Sequence, residues 1–414
     1  MNTLEELRSG KLKGAKRITL SENLDFFPEE IFELADTLEI LDLSNNNLDT
    51  LPKNLHRLTK LKIAFFSNNN FTALPNVFKE CKNLYMIGFK ANKIELFDEN
   101  ILPLSISWLI LTDNRLKSLP HSIGKLTKLQ KCALAGNQLV NLPSSMSACV
   151  NLELIRLSAN NLEEIPLWLS SLPKLSWLAF SGNPCSISKE SDFKEMVFDE
   201  LEVAEVLGEG ASGIIYKAYS KQLNQSVAIK LFKGAVTSDG YAKDEMNAYM
   251  SIENHPNLIK VIAKLKGESR LGLLLEFIPS SFINLGNPPN FDTCTRDTFE
   301  ESTSFSINAI RKVAESIASA AGHLHENSLM HGDLYAHNIL INEEYNSYLG
   351  DFGAASFYDK NICNYEKIEV RAFGCLLDDM LALSTQKDEK LEYLKDICMS
   401  DNINDRPLFS EMKF

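Results

Sequence analysis

Apolar residues in the first half of the chain recur with a period of about 23 residues. Stretches that share one frame include LEILDLSNNNLDTLP (38–52), LKIAFFSNNNFTALP (61–75) and LELIRLSANNLEEIP (152–166). Asparagines recur in the same frame, in steps of 22 or 23 residues, at positions 23, 46, 69, 92, 114, 137, 160 and 183. Within each unit, core leucines alternate with other residues over a short stretch, which predicts one short strand per unit. The pattern therefore predicts a solenoid of eight stacked units.

The shared frame, LxxLxLxxNxL, resembles the leucine-rich repeat, and the LP-containing turns resemble those of the intracellular Ras-group type. This resemblance implies an α/β solenoid with parallel strands on its concave face. Each unit is too small to bury its own apolar side, so leucines such as Leu41 and Leu43 must stack on neighbouring turns. We expect each asparagine to bond backbone groups left open where the strand turns away, because such groups are costly to bury unpaired.

The concave face of the predicted solenoid has an apolar patch. Strand residues that alternate with the core leucines should point outward on this face. In the third to fifth units they include Ile63, Phe65, Met86, Trp108 and Ile110. Contiguous exposed apolar surface often marks a protein-binding site. We therefore predict that these residues bind a protein partner or substrate; packing against loops or the second half of the chain is the alternative.

A different set of motifs follows in the second half. LGEGASGIIYKA places glycines in a GxGxxG pattern at Gly208, Gly210 and Gly213, and VAIK (227–230) comes shortly after. A dinucleotide-binding unit would continue with a helix, whereas GIIYKAYS is typical of the second strand of a hairpin. HGDLYAHN (331–338) and DFG (351–353) then complete the series.

Together and in this order, the motifs resemble those of the protein kinase family, which implies an α+β two-lobed domain that binds ATP and Mg²⁺. By this resemblance Lys230 holds the nucleotide phosphates, Glu245 pairs with that lysine, and Asp333 is the catalytic base. Asn338 and Asp351 would bind magnesium. The resemblance also implies nucleotide contacts, with Leu275 as gatekeeper, from Gly208, Gly210, Gly213, Ile215, Ala228, Leu275, Glu276, Ile278 and Leu340. It further implies a central buried helix over 369–381 and a closing helix over 405–412.

Several residues depart from the family pattern. Gly332 stands where an arginine usually pairs with a phosphate on the activation segment, which would make the chain a non-RD kinase. Only 15 residues separate Gly353 from Glu369, with no APE motif among them. Both observations predict that phosphorylation of this segment does not activate the chain. Glu369 replaces the usual aspartate that braces the catalytic loop, and Arg406 lacks its usual glutamate partner.

Two other functions are alternatives to a protein kinase. HGDLxxxN also resembles the catalytic loop of aminoglycoside and choline phosphotransferases, which act on small molecules. A nucleotide-binding scaffold without catalysis is the non-enzyme alternative. The five residues that carry the family's chemistry are all present, however, and fusion to repeats favours a protein substrate. We therefore predict a protein kinase, with serine or threonine favoured as acceptor.

Composition and charge bear on the domain division, the kind of partner and the cellular compartment. We predict a repeat domain over residues 1–186, with 20 basic and 19 acidic residues, and a kinase-like domain over 187–414, with 22 basic and 36 acidic residues. Acidic surface argues against nucleic acid as a partner. The eight cysteines lack metal-ligand spacing and favour a reducing compartment. No signal peptide or membrane-spanning run is evident, which predicts a cytoplasmic protein.

Overall fold

The chain forms two compact units. The computed structural model describes residues 1–187, 193–210, 213–234, 239–252, 254–267 and 271–414. The first unit contains Met1–Arg156 and Asn160–Leu172, and the second contains Leu157–Ala159 and Pro173–Phe414. The boundary at residue 186 follows from the repeat pattern and stays a prediction. By packing, residues 173–186 belong with the second unit.

The repeats form eight short parallel strands that lie in one sheet in chain order, as the sequence pattern predicts. The strands are β1 (Arg17–Thr19), β2 (Ile40–Asp42), β3 (Ile63–Phe65), β4 (Met86–Gly88), β5 (Trp108–Ile110), β6 (Lys131–Ala133), β7 (Leu154–Arg156) and β8 (Trp177–Ala179). Short 3₁₀ turns, such as His121–Lys125 and Ser144–Ala148, lie in the connections between strands. A helix, α1 (Leu4–Arg8), precedes β1 and begins with a capping box of Thr3 and Glu6.

Buried asparagines join successive turns of the solenoid, which confirms their expected structural role. The side-chain nitrogen of Asn114 donates to the carbonyls of Phe89 (2.8 Å) and Leu111 (3.0 Å). Its oxygen accepts the Ile94 N–H at 3.0 Å. The residue before each of these asparagines is left-handed, with φ between 52° and 70°, from Asn45 to Gly182. Asn23 differs because it is exposed and itself left-handed.

The predicted exposure of the concave apolar patch is wrong for three of its five residues. Ile63, Met86 and Trp108 are buried, whereas Phe65 and Ile110 are half-buried. Part of the reason lies in the sheet itself, because side chains on adjacent parallel strands lie close enough to cover one another. A Cβ on Gly88 would meet the Phe65 ring at 2.7 Å, and the Lys131 ammonium lies 4.4 Å from the centre of the Trp108 ring.

After β8, the second unit contains a six-stranded sheet. Its strands are β9 (Glu195–Val197), β10 (Leu201–Glu209), β11 (Gly213–Ser220), β12 (Gln225–Phe232), β13 (Val261–Lys266) and β14 (Gly272–Glu276), and they lie in the order β10-β11-β12-β14-β13-β9. The antiparallel pairing of β10, β11 and β12 confirms the hairpin predicted from GIIYKAYS and VAIK. Apolar residues such as Val227, Ile229 and Leu274 form the core beneath this sheet.

Helices and small sheets make up the rest of the second unit. The helices are α2 (Ala242–Ser251), α3 (Ile307–Glu326), α4 (Glu366–Ala382) and α5 (Glu389–Cys398). Five short strands carry or flank the site: β15 (Ile283–Asn284), β16 (Leu329–Met330), β17 (Ile339–Ile341), β18 (Ser347–Leu349) and β19 (Ser356–Phe357). Helix α4 is largely buried, as predicted for 369–381. No helix in the described ranges is both long and apolar enough to cross a membrane.

The prediction of a closing helix over residues 405–412 is wrong. The chain has only two 3₁₀ turns there, Ile403–Asp405 and Phe409–Glu411. Pro407 accounts for the difference, because it lacks an N–H and disfavours helical geometry in the residue before it. Arg406 is accordingly extended, with φ −69° and ψ 129°.

Candidate active site

A buried ion pair joins the sheet to helix α2. Lys230 lies in β12, and its ammonium contacts the carboxylate of Glu245, with both side chains almost fully buried. Burial alone would lower the pKa of Lys230, but the negative charges of Glu245 and Asp351 outweigh it and hold that pKa above its usual value. The lysine therefore carries a fixed positive charge. The two residues meet as the kinase resemblance implies.

Asp351 lies on the other side of the same lysine. Its carboxylate is 3.8 Å from the Lys230 ammonium and half exposed. Partial removal from water disfavours its charge, but Lys230 and the N–H of Gly353 hold the pKa of Asp351 below its usual value. The backbone N–H of Asp351 donates to the Tyr249 hydroxyl at 3.0 Å. Helix α2 thus positions both Lys230, through Glu245, and Asp351, through Tyr249.

The loop at residues 331–338, which the sequence predicts to be the catalytic loop and which we call by that name, brings Asp333 and Asn338 together. The Asn338 side-chain nitrogen donates to the backbone carbonyl of Asp333 (2.9 Å) and to its carboxylate (3.2 Å). His331 anchors the loop, since its Nδ1 accepts the Asp333 N–H at 3.2 Å and its Nε2 lies 2.9 Å from the Gly350 carbonyl. The loop is thereby tied to the residue just before Asp351.

Glu369 braces this loop despite its longer side chain. One carboxylate oxygen accepts the Gly332 N–H at 2.7 Å and the other accepts the His331 N–H at 3.1 Å. His325 contacts the same carboxylate at 2.8 Å. Burial opposes ionisation, but hydrogen bonding and charge from His325, His331 and the Gly332 N–H hold the pKa of Glu369 below its usual value. The extra methylene relative to aspartate therefore leaves the brace intact.

Asp297 holds the far end of the loop. One oxygen accepts the N–H groups of Ala336 (2.5 Å) and His337 (3.3 Å), and the other lies 2.7 Å from His337 Nδ1. Burial opposes protonation of His337, yet the hydrogen bond to Asp297 and the negative charges nearby raise its pKa. Two buried carboxylates, Asp297 and Glu369, therefore fix the loop that carries Asp333.

Most of the predicted nucleotide contacts lie in the sheet that contains Lys230. Ile215 pairs with Lys230 across β11 and β12, and Ala228 pairs with Leu275 across β12 and β14. Glu276 ends β14, half-buried Ile278 lies two residues after it, and Leu340 lies in β17 of a different sheet.

The three glycines of the GxGxxG motif lie in different surroundings. A Cβ added at Gly208 or Gly210 would meet open space, whereas one at Gly213 would lie 2.6 Å from the Leu231 carbonyl. Since neither residue has a side chain and nothing lies where one would be, a ligand can approach the backbone closely at these two positions. Gly213 instead allows β11 to lie close to β12.

Sequence motifs missed two residues of this site. Tyr249 follows Glu245 by four residues, so helical periodicity places both on one face of α2, and this signal could have identified it. Asp297 lies in a stretch without any recognised motif and 40 residues before His337, so no local signal pointed to it.

Comparison with known proteins finds a match in each half of the chain. Residues 201–372 match the protein kinase domain model, and residues 37–58 match the leucine-rich repeat model. The serine/threonine-protein kinase AtPK1/AtPK6 of Arabidopsis thaliana is 28% identical over 193 residues, 44% of this chain and 39% of that protein. Cyclin-dependent kinase 11.1 of Caenorhabditis elegans is 27% identical over 177 residues, 42% and 23% of the two chains.

A third relative is the serine/threonine-protein kinase fray1 of Dictyostelium discoideum, 29% identical over 167 residues, which are 40% of this chain and 27% of that protein. The match thus spans less than half the length of each of these relatives. The matched kinase model covers Lys230, Glu245, Asp333, Asn338 and Asp351. The chain therefore combines leucine-rich repeats with a protein kinase domain.

Proposed function

We propose that this chain is an ATP- and magnesium-dependent protein kinase that transfers the γ-phosphate to serine or threonine hydroxyls. The observation that carries the proposal is the position of Lys230, whose ammonium contacts Glu245 and lies 3.8 Å from Asp351. Phosphoryl transfer depends mainly on positioning and charge neutralisation. A buried fixed cation beside a half-exposed carboxylate can both position the phosphates and neutralise their charge at one place.

The side chains of Asp351 and Asn338 offer the kind of oxygen atoms that magnesium binds. Magnesium is usually held by one or two carboxylates together with substrate phosphates. Asn338 donates through its nitrogen to Asp333, which leaves its side-chain oxygen to serve as a ligand. Asp351 and Asn338 would therefore hold the ion, which when bound neutralises charge on the phosphates.

Asp333 would orient the acceptor hydroxyl and accept its proton. Its carboxylate receives a hydrogen bond from Asn338 at 3.2 Å, and its backbone is held through His331. A fixed carboxylate of this kind can direct an alcohol oxygen towards a phosphorus atom. The names of the relatives, which include serine/threonine-protein kinases, support serine or threonine as the acceptor.

The experiment is transfer of labelled γ-phosphate from Mg-ATP to the chain itself and to generic protein substrates. Wild type is compared with Asp333→Ala and Asp351→Asn, and ATP binding is measured for all three. We expect label with wild type and a loss of at least roughly 100-fold in both variants. Wild type that binds ATP but labels no protein would contradict the proposal and favour a scaffold or a small-molecule phosphotransferase.

We further propose that the repeats recruit a protein partner or substrate, and that the chain acts inside the cell. Phe65 and Ile110 retain exposed surface and carry the recruitment proposal. All eight cysteines are thiols rather than halves of disulfides, which suits a reducing compartment. If the repeats recruit substrate, Phe65→Ser should raise KM for a protein substrate while kcat stays unchanged. An unchanged KM would contradict recruitment through this residue.

A further inference from the structure

The last repeat strand contacts the catalytic loop directly. We call residues 173–182 the bracing segment; it contains β8 and lies within the second unit. Trp177 Nε1 donates to the Leu334 carbonyl at 3.1 Å. Its ring stacks on Tyr335 with centroids 4.4 Å apart and planes inclined by only 5°. Leu334 and Tyr335 directly follow Asp333, so this stack supports the residue proposed to be the catalytic base.

The glycine at position 332 allows this close approach. Gly332 has φ +76°, a left-handed conformation in which other residues are strained. A Cβ at this position would lie 2.6 Å from the carbonyl oxygens of both Leu178 and Ala354. No larger side chain, arginine included, fits between them without a backbone shift. The absence of arginine is thus a condition for seating the bracing segment on the loop.

Buried cations hold the segment at its start. Arg371 of α4 donates to the Ser176 hydroxyl at 2.9 Å, and Arg406 donates to the Pro173 carbonyl at 2.6 Å. Arg406 also donates to the carbonyls of Ser400 and Lys367. Burial and the nearby charge of Arg371 lower the pKa of Arg406 to about 10. Since a buried cation is costly without acceptors, these contacts fix the segment firmly.

The segment also contacts residues after Asp351. The backbone N–H of Phe180 donates to the Ser356 hydroxyl at 2.9 Å, and the Phe180 ring packs against Tyr365 with centroids 5.4 Å apart. Ser356 begins β19, in the short stretch between Gly353 and Glu369. This stretch is therefore held by the bracing segment and by its pairing with β16.

The other end of the segment meets helix α2. A Cβ on Gly182 would lie 2.6 Å from atoms of both Tyr241 and Asp244. Tyr241 caps the start of α2, and Asp244 directly precedes Glu245. Just before the helix, a Cβ on Gly240 would lie 3.2 Å from the Ser181 hydroxyl. One ten-residue segment thus contacts both the helix that carries Glu245 and the loop that carries Asp333.

We propose that the bracing segment is a built-in positioning element that holds the Glu245 helix and the Asp333 loop in their working arrangement. Trp177 is its central positioning residue. The inference rests on the proposed kinase function and extends it, because it makes alignment of the site depend on the last repeat rather than on phosphorylation of the 353–369 segment. The Lys230–Glu245 contact is formed while the segment is seated, so the segment supports the site rather than blocks it.

The test compares Trp177→Ala with Trp177→Phe in the full chain. Phenylalanine keeps a ring for the Tyr335 stack but loses the N–H that bonds Leu334. We expect Trp177→Ala to lower kcat roughly 10- to 100-fold, since small displacements of reacting groups have effects of this size. KM for ATP should change by less than about twofold, and Trp177→Phe should recover most of kcat. The matched control is Trp168→Ala, which removes a half-buried tryptophan from the 3₁₀ turn Leu167–Ser171 and should leave kcat unchanged.

A second measurement separates this inference from the kinase proposal. Amide hydrogen exchange over residues 331–338 reports how well the loop is held, whether or not the chain transfers phosphate. Faster exchange there in Trp177→Ala, but not in Trp168→Ala, supports the bracing role even if wild type proves inactive. Unchanged exchange overturns it, and so does a rise in kcat, which would show that the segment inhibits. Gly332→Ala, folded at the assay temperature, should reproduce the Trp177→Ala effect.

Discussion

The repeats and the catalytic loop both bury polar side chains against backbone groups, but they use different chemistry. From the second repeat on, each repeat uses a neutral amide, as in Asn69, which donates to the carbonyls of Leu43 and Phe66 and accepts the N–H of Leu48. An amide suits such a place because it both donates and accepts. The same arrangement recurs every 22 or 23 residues, so no single asparagine is unique.

The catalytic loop uses carboxylates instead. Glu369 accepts two adjacent N–H groups, and Asp297 accepts two more. An ionised carboxylate accepts hydrogen bonds but cannot donate them, and its hydrogen bonds are stronger than those of an amide. Each brace occurs once and depends on a histidine partner, His325 or His337. The comparison indicates that the repeats gain stability from redundancy, whereas the loop depends on single charged contacts.

The largest effect should follow from removal of the Glu369 brace. Glu369→Ala leaves the buried N–H groups of His331 and Gly332 without this acceptor. We expect the free energy of unfolding of the second unit to fall by about 3–5 kcal/mol, with loss of phosphotransfer. Glu369→Asp restores the charge on a shorter side chain and should lose less. Urea denaturation and the phosphotransfer assay measure the two effects; equal stability of wild type and Glu369→Ala would refute the comparison.

A smaller effect is expected from loss of one asparagine of the repeats. Asn114→Ala removes bonds to the carbonyls of Phe89 and Leu111 and to the Ile94 N–H. We expect the free energy of unfolding to fall by about 2–4 kcal/mol, with ATP affinity unchanged. Asn161→Ala changes an exposed asparagine two repeats further along and should cost less than about 0.5 kcal/mol. If Asn114→Ala weakened ATP binding, the repeats and the site would not be separable in this way.

The sequence predicted those features of both regions whose signals lie along the chain, and it did not predict contacts between residues that are distant in sequence. Repetition identified the strands and the asparagines, and motif order identified Lys230, Glu245, Asp333 and Asn338, because these signals lie along the chain. Trp177 bonds Leu334 across 157 residues, and no local pattern encodes such a contact.

Two interpretations of the sequence, one of Gly332 and one of the concave apolar patch, could be judged only from the three-dimensional surroundings of the residues. From the sequence, Gly332 is only the place where an arginine is missing. The structure gives a steric reason for a glycine there, namely its left-handed backbone and the two carbonyl groups close to it. Strand alternation places Met86 and Trp108 on the concave face, but alternation cannot show what covers that face. Both cases concern neighbours distant in sequence, which is where reasoning from patterns ends.

The smallest effect concerns acidity, and it tests the chemical difference between the two regions most directly. The pKa of Glu369 is held below its usual value of 4.5. Its charge therefore stabilises the folded chain above about pH 4.5, and this contribution is lost as pH falls through the folded-state pKa. Glu369→Gln removes the charge at every pH, so its stability deficit should shrink as pH falls from 7 towards 3, by at most about 1.4 kcal/mol for each pH unit below 4.5.

Other carboxylates titrate in both proteins and cancel in this difference. Asn114→Ala replaces a neutral amide, so its deficit should be the same at both pH values. The measurement is urea denaturation of wild type and both variants across this range. A constant deficit for Glu369→Gln would mean that the Glu369 carboxylate is not held by its charge, and the brace would then resemble the asparagines of the repeats.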